Sequence, residues 1–532
     1  MPFRQVVSEV LVIGSGGAGL RSAIESQKNG ARTVLVCKSS AGYASSTTYS
    51  GAGFRAAVGG LSEEAHYQET VRGGKMINDK ELLSVLVESA PKIVSELSEL
   101  GVEIKVERGA IRTIFSQTRM YGLTITQPML RKAKKLGVKI IENVVIIDLF
   151  VKKGRLLGAL GYDYKLGEFI VFNIKALVLA TGGVGAIFSR SSNPIQICGD
   201  GLALAYRASV PLRDMEFTQF FPLATASERF PIYLLPFEDK IYNSKNQNVA
   251  EKYGLMERPL AMNSRDKLSI AIMKEIRSPS GPVCIDLRST SDKTWEDILA
   301  KCVKSVLIKQ FECNKELVPV APVFHFFMGG VTIDNLCRTN VEGLFAAGEV
   351  VGGLHGANRI GGNAMSEIIV FGAIAGREAA RFALGAERRS FDPSNLAQRS
   401  YELSNQMRKN SNDDLDHKIV RKELGELMWK NVGVVRTKES LEKALDGIKQ
   451  YKERKIVVAR ANDPRDFLGL TEVKNMLDIA EIITSCALYR RESRGAHYRE
   501  DYPDEGSQKW VSNIFVNRIA DDRHRLSLVP VR

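Results

Sequence analysis

The chain has 532 residues, of which 44% are hydrophobic, 25% charged and 8% aromatic. That composition excludes bulk disorder, and the length leaves room for roughly 2–4 domains with ample core. The 74 Lys plus Arg against 61 Asp plus Glu give a net charge of +13. Both signs are mixed along the chain, so the excess reads as a field favouring an anionic ligand or an acidic partner. No nucleic-acid reading motif accompanies it, and no nucleic acid is expected as a partner.

The N-terminal MPFRQVVSEV runs straight into VLVIGSGGAGL, without the pattern of a signal peptide. No stretch approaches ~18–20 uninterrupted apolar residues, so the chain is not expected to span a membrane. The seven cysteines (Cys37, Cys198, Cys284, Cys302, Cys313, Cys337, Cys486) form no CxxC pair. That spacing sets aside the usual iron–sulfur and structural-zinc sites, predicts no metal centre, and fits free thiols in a reducing cytoplasm.

In chain order, VSEVLVI (7–13) reads as a buried strand, GSGGAG as a tight turn, and the next segment as a helix to about Asn29; ARTVLVCK is a second strand. This opens a strand–helix–strand unit with a parallel sheet. Residues 80–100 have helical apolar spacing and stop at Gly101, a C-cap candidate. Residues 138–181 alternate like strands and hairpins and end in ALVLATGG. Between about 217 and 320 the composition turns irregular, with seven prolines, which predicts an inserted domain. A second apolar, Gly-rich block runs from Val331 to Gly376, and from about 387 the pattern is helical and highly charged. The expected division is 1–216 and 322–386 for a two-part α/β nucleotide domain, 217–321 for an inserted α+β domain, and 387–532 for a helical domain.

Gly14, Gly16 and Gly19 form GxGxxG between strand and helix. The first glycine allows the turn, the second lets backbone approach a pyrophosphate, and the third permits close helix–strand packing. Turn glycines alone would be weak evidence; their place after VLVI makes a nucleotide site the better reading. The acidic residue that grips ribose about 20 positions on is missing, because the second strand ends in Cys37-Lys38. A simple NAD site therefore fits poorly. Two further buried strands end at Gly-rich turns, ATGG (180–183) and EGLFAAGEVVGG (342–353), and Glu349 after the second is a candidate acceptor for ribose hydroxyls. Three such exits suit one long dinucleotide, FAD, lying across several strand ends.

GSGGAGL, ATGG, DMEFTQFFP, HFFMGGVTID, GLFAAGE, HGANRIGGNAMSE and RESRGAHYREDYP occur in this order. From about residue 9 to 505 the chain resembles the flavoprotein subunit of the succinate dehydrogenase/fumarate reductase family, which includes L-aspartate oxidase. The resemblance implies a Rossmann-like FAD domain in two parts, an inserted capping domain and a C-terminal helical domain. It implies that Gly14, Gly16, Gly17, Ala18 and Gly19 cradle the FAD pyrophosphate and that Glu349 binds the adenosine ribose. Lys38, Ser45, Ser46, Thr47, Gly53, Ala180, Thr181, Gly182 and Asp200 become further FAD contacts, with Arg359, Asn363 and Ala364 near the flavin. Respiratory members attach FAD to a His within Ser-His-Thr; here AGYASSTTYSGAG places Ser45 or Ser46 at that position, which predicts dissociable FAD. The family also implies electron exchange with a separate iron–sulfur subunit, and membrane association only through such a partner.

Reduction of an enoate needs a hydride on one alkene carbon, a proton on the other, and cationic groups holding the carboxylates. Arg265 (NSRDKLSIAI) matches the family's arginine proton donor, His325 (HFFMGG) a carboxylate-binding histidine, and Arg359 (GANRIGG) a carboxylate-clamping arginine. Each has an ordinary structural reading: a helix-start ion pair with Asp266, a satisfied histidine, a buried arginine. Their joint placement in three family motifs favours the catalytic one. Two departures stand out. The family's QFHP is QFFP here, so Phe221 replaces a donor to substrate carboxylate. The Thr-Glu-x-x-Arg segment that would reprotonate the arginine is ERFPIYLLPFEDKIYN, where Glu238 or Asp239 is the nearest stand-in. Phe221, Leu234, Leu235, Pro236 and Phe237 predict a more apolar pocket. Met328 matches fumarate reductases where aspartate oxidases usually carry Cys. His355 reads as flavin-region or structural, His497 as interdomain packing, and RRESR as a solvated or ion-paired face; His66, His417 and His524 receive no role. The rival readings are another enoate, amino acid or small anion on the same fold, and a non-catalytic flavin relay.

Overall fold

A computed structural model describes residues 3–113, 121–226, 234, 237–260, 264–295, 298–388, 415–457, 463–520 and 523–531. The nucleotide domain is built on β1 (Val10–Ile13), α1 (Gly17–Lys28), β2 (Thr33–Cys37), β3 (Lys139–Glu142) and β4 (Ala176–Leu179). With the strand Leu344–Ala346 they make a parallel sheet ordered Leu344–Ala346, β4, β1, β2, β3. β1, β2 and β4 are buried at every position, as continuous Val/Leu/Ile runs covered on both faces should be. The helix Asn363–Gly385 lies directly on α1. A Cβ at Gly376 would come within 2.2 Å of Ser22 O, and Ser22 Oγ donates to Gly372 O at 2.9 Å, so the two glycines set how closely the helices approach. Phe3–Val7 joins Glu168–Asn173, Arg155–Asp163 and Val144–Lys152 in a second sheet.

The segment expected as one helix over 80–100 is two, Lys80–Ser89 and Ile93–Glu99, joined by a 3₁₀ turn at Ala90–Lys92. Pro91 has no N–H to continue the ladder. Gly101, at φ +75°, ends it in a Schellman arrangement, Val102 N donating to Leu97 O at 3.0 Å.

The inserted segment contains β5 (Thr218–Thr225), β6 (Ile241–Asn243), α2 (Arg265–Arg277), β7 (Val283–Ile285) and β8 (Val318–Phe327). Its antiparallel sheet runs β5, β8, β7, β6, with Leu268 and Ile272 of α2 packed among Leu223, Val283 and Val320. β8 continues through the expected division at 321/322 and leads back to the nucleotide domain. β9 is the strand Leu344–Ala346, and α3 the helix Asn363–Gly385.

The C-terminal part holds α4 (His417–Val432), α5 (Lys438–Glu453) and α6 (Pro464–Tyr489). The helical expectation does not extend to the end. β10 (Ser512–Ala520) and β11 (Arg523–Pro530) pair antiparallel, and β10 adds to Leu212–Arg213 of the nucleotide domain. The expected helical stretch at 389–410 lies outside the described residues. RRESR is ion-paired, one of the two readings expected, and only Arg491 of it is exposed: Arg490 and Glu492 are almost completely buried, Arg490 Nε lying 2.6 Å from Glu216 and Nη1 2.8 Å from Glu492. His497 is buried there too, 2.6 Å from Arg436, whose guanidinium also reaches Glu216 O and Thr218 Oγ1. This charged knot ties the helical part to the start of β5. Among the described residues no helix is long and apolar enough to cross a membrane.

Candidate active site

The turn after β1 is as tight as its glycines imply. Gly14 has φ +108°, and a Cβ on it would lie 2.1 Å from Ala180 O; one on Gly19 would lie 1.9 Å from Gly14 O. Gly16 starts α1 with no side-chain cap, Gly17 N donates to Thr47 Oγ1 at 3.1 Å, and Ala18 is buried behind. Thr181, after Ala180 at the end of β4, has a buried hydroxyl without a hydrogen-bond partner among the described residues. Gly182 (φ +78°) has only Ile197 near its Cβ position, and Gly53 faces open space. An uncapped helix N-terminus, an unanswered hydroxyl and bare backbone along three strand exits fit a dinucleotide with a pyrophosphate. At the position of the family's covalent histidine, Ser45 Oγ accepts from Thr48 N at 3.2 Å, and Ser46 donates to Asn193 Oδ1 at 3.3 Å.

Four of the expected FAD contacts have partners for their side chains within the protein. Lys38 and Asp200 pair with each other at 2.5 Å; Lys38 also meets Glu472 at 2.7 Å, and Asp200 accepts from Asn475 at 2.8 Å. A buried ammonium needs counter-charge, and these acids hold it firmly protonated; the cluster joins the end of β2 to α6. The Asn363 amide is taken by His66 (2.9 Å) and Thr70 (3.0 Å), so this residue offers the site its backbone at the start of α3, beside Ala364. Glu349 follows β9, which β4 and β1 separate from β2, three strand spacings or ~14 Å. It lies against Gly183 and accepts from Phe327 N, at the end of β8, at 3.0 Å, on the cap side. Burial pushes its carboxyl up to about 7.

The three catalytic candidates do come together. Arg265 Nη1 and Arg359 Nη2 donate to the same oxygen, Gln219 Oε1, at 3.0 and 2.9 Å. Gln219 Nε2 donates to Asn358 Oδ1 (2.7 Å) and Arg359 O (2.9 Å). The Arg359 guanidinium also lies over the Phe326 ring, 4.6 Å from its centroid. His325 Nδ1 is 3.1 Å from Ser192 Oγ, and Asn193 donates to His325 O. Burial, then Arg359 and Arg265, hold the imidazole well below its usual value, so it is neutral near pH 7. The Phe221 ring lies 5.6 Å from the His325 ring and 5.7 Å from the Arg265 guanidinium. Leu234 and Phe237 pack with it in the cap core; Leu235, Pro236 and residues 227–233 lie outside the described residues. Of the stand-in acids, Asp239 is 71% exposed and paired with Arg258, and Glu238 is buried and accepts from Leu260 N at 2.8 Å. His355 is a buried partner of Glu367 at 2.9 Å, its ring edge-on to Phe326.

Sequence reasoning missed Gln219, Asn358, Ser192 and Asn193. Gln219 carried a usable signal: a polar amide inside an otherwise apolar strand must find partners when buried.

A profile described as FAD binding domain matches residues 9–365, and one described as fumarate reductase flavoprotein C-term matches 421–532. An uncharacterized FAD-dependent oxidoreductase of Methanocaldococcus jannaschii is 35% identical, covering 96% of each chain. A fumarate reductase (CoM/CoB) subunit of Methanothermobacter marburgensis is 34% identical, covering 96% of this chain and 97% of its own. Among solved structures, FrdA of E. coli quinol fumarate reductase superposes with TM-score 0.88 at 27% identity, covering 99% of this chain and 97% of its own. Together with the glycine cradle and the paired arginines, these likenesses show that the chain is an FAD-dependent oxidoreductase belonging to the succinate dehydrogenase/fumarate reductase flavoprotein family.

Proposed function

We propose that this chain moves a hydride between its FAD and the carbon–carbon bond of a saturated/unsaturated carboxylate pair. The observation that carries the reading is the convergence of Arg265 and Arg359 on Gln219 Oε1 beside His325. Held side by side by that one oxygen, the two guanidiniums offer paired positive charge to a carboxylate and to the charge that develops as the double bond is reduced. Bound FAD supplies the hydride and takes it back in the reverse direction. Arg359 clamps the carboxylate with its fork. Neutral His325 donates to the same carboxylate from Nε2, with the Ser192 hydroxyl turned to Nδ1. Arg265 gives a proton to the alkene carbon that does not receive the hydride, so the C=C bond becomes a single bond with two electrons and two protons added. Glu349, on the cap side, is suited to hydroxyls near the flavin end of the cofactor, and the backbone at Asn363 and Ala364 offers a helix N-terminus to the flavin itself.

The chain's relatives are named as flavoprotein subunits, which supports electron exchange with a separate iron–sulfur subunit, with any membrane attachment made through that partner. Anaerobic oxidation of reduced viologen by a panel of enoates tests the reading. Turnover that Arg265→Ala abolishes without loss of FAD is expected; no turnover with any enoate, on flavin that is bound and reducible, would refute it.

A further inference from the structure

We propose that Phe221 makes this site select mono-anionic enoates: one carboxylate at the Arg359–His325 end, and an alkyl or aryl group at the end that meets the Phe221 ring. The inference rests on the hydride-transfer reading and names its substrate class.

Gln219 and Phe221 are two apart on β5; the β5–β8 register shifts between Gln219 and Phe220, yet both side chains meet the Arg265 guanidinium and so share one face. Phe220 points the other way, edge-on to Phe188 and Phe324. The shared face is the catalytic one. Gln219 holds both arginines, and the Phe221 ring reaches both the His325 ring and the Arg265 guanidinium. Phe221 pairs with Val323 across the sheet and is buried with Leu234 and Phe237, so its ring is held from behind by apolar side chains. A phenyl ring has no donor, and its face carries partial negative charge. A second carboxylate placed there would shed water and meet repulsion instead of a hydrogen bond. An alkyl or aryl group placed there would leave water for an apolar wall. The same ring keeps the Arg265 charge in a dry setting, close to the carbon that needs the proton.

The test reads binding separately from turnover. Oxidised holoenzyme is titrated with succinate, butanoate and 3-phenylpropanoate, following the flavin spectrum; fumarate, crotonate and cinnamate are then compared as oxidants of reduced viologen. Wild type, Phe221→His and Phe221→Leu are used, each normalised to flavin content. The expected result is a monoanion preferred by at least about tenfold in both assays, as loss of a donor to a charged group implies. Phe221→His should shift the ratio toward the dicarboxylate by about 10- to 100-fold, and Phe221→Leu should keep the monoanion preference. Succinate binding as tightly as the monoanions in wild type, or an unchanged ratio in Phe221→His, would overturn the proposal. If Phe221→His loses FAD, the wild-type ratio and Phe221→Leu decide alone. Selective monoanion binding with no enoate turned over would uphold the anion class and refute the hydride reading. No binding of any acid would refute both.

Discussion

Replacing Gln219 by leucine removes the oxygen on which both arginines converge. That oxygen accepts at 3.0 Å from Arg265 and 2.9 Å from Arg359, while the amide nitrogen holds Asn358 and the Arg359 carbonyl. A hydrogen bond to a charged group contributes about 1.5–3 kcal/mol, so the two together represent about 3–6 kcal/mol. Water and neighbouring groups recover part of this. An expected loss of about 2–4 kcal/mol of transition-state stabilisation corresponds to a fall of about 30- to 900-fold in kcat/KM. Gln219→Glu separates position from charge. It keeps the shape and both arginine contacts but loses the donations to Asn358 and the Arg359 carbonyl and adds a negative charge beside a substrate anion, so KM should rise more than kcat falls. The assay is dye-linked turnover of the best enoate across pH, with FAD content and thermal midpoint measured on the same samples. If Gln219→Leu retained kcat/KM within about threefold of wild type with FAD intact, the idea that this amide positions both arginines would fail.

Other outcomes follow from the same geometry. With Ser45 and Ser46 at the attachment position, acid precipitation should leave FAD in the supernatant; flavin in the pellet would contradict dissociable binding. Arg490→Met leaves Glu216 buried without its main counter-charge, while Glu492 keeps Arg494 at 2.8 Å, at a cost of about 3–5 kcal/mol. Its thermal midpoint should drop by several degrees, and an unchanged midpoint would show that the knot adds no stability. Glu349 has a folded-state carboxyl near 7 against 4.5 when exposed. Between those values the folded chain retains a proton that the unfolded chain has released, so the apoprotein should lose roughly 3 kcal/mol of stability as pH rises from 4.5 to 7. Glu349→Gln should remove that part of the slope; denaturant titrations at several pH values would show whether it does.

The sheet, its glycine turn and the order of the parts were legible because each rests on local pattern: Val/Leu/Ile runs for buried strands, GxGxxG where a strand meets a helix, and Gly101 as a helix stop. Pro91 was equally local, yet its interruption was not read. The C-terminal hairpin carried a strand signal, the Ile514-Phe515-Val516 run and the Leu526/Leu528 alternation, that the charge-rich helical pattern before it masked. Arg265, His325 and Arg359 carry motif signals, and the structure brings them together. The partners of Lys38, Asp200 and Asn363 are not legible, because a charged or amide side chain is committed by its neighbours in space, and Glu472, Asn475, His66 and Thr70 lie far away in sequence. The position of Glu349 beside the cap was not legible either, because strand order, not strand sequence, sets where a strand exit lies in the sheet. RRESR, too, reads as a solvated or ion-paired face from composition; only the acids gathered around it explain the burial of Arg490 and Arg494.

The most direct test of the central claim is a single turnover. Holoenzyme is reduced anaerobically, excess reductant is removed, and the return of oxidised-flavin absorbance is followed after mixing with an enoate. Rapid stoichiometric reoxidation is expected, with one saturated acid formed per flavin, and reoxidation should be lost in Arg265→Ala although its flavin binds and reduces normally. Reduced flavin that persists in wild type with every enoate, or Arg265→Ala reoxidised at the wild-type rate, would contradict the claim.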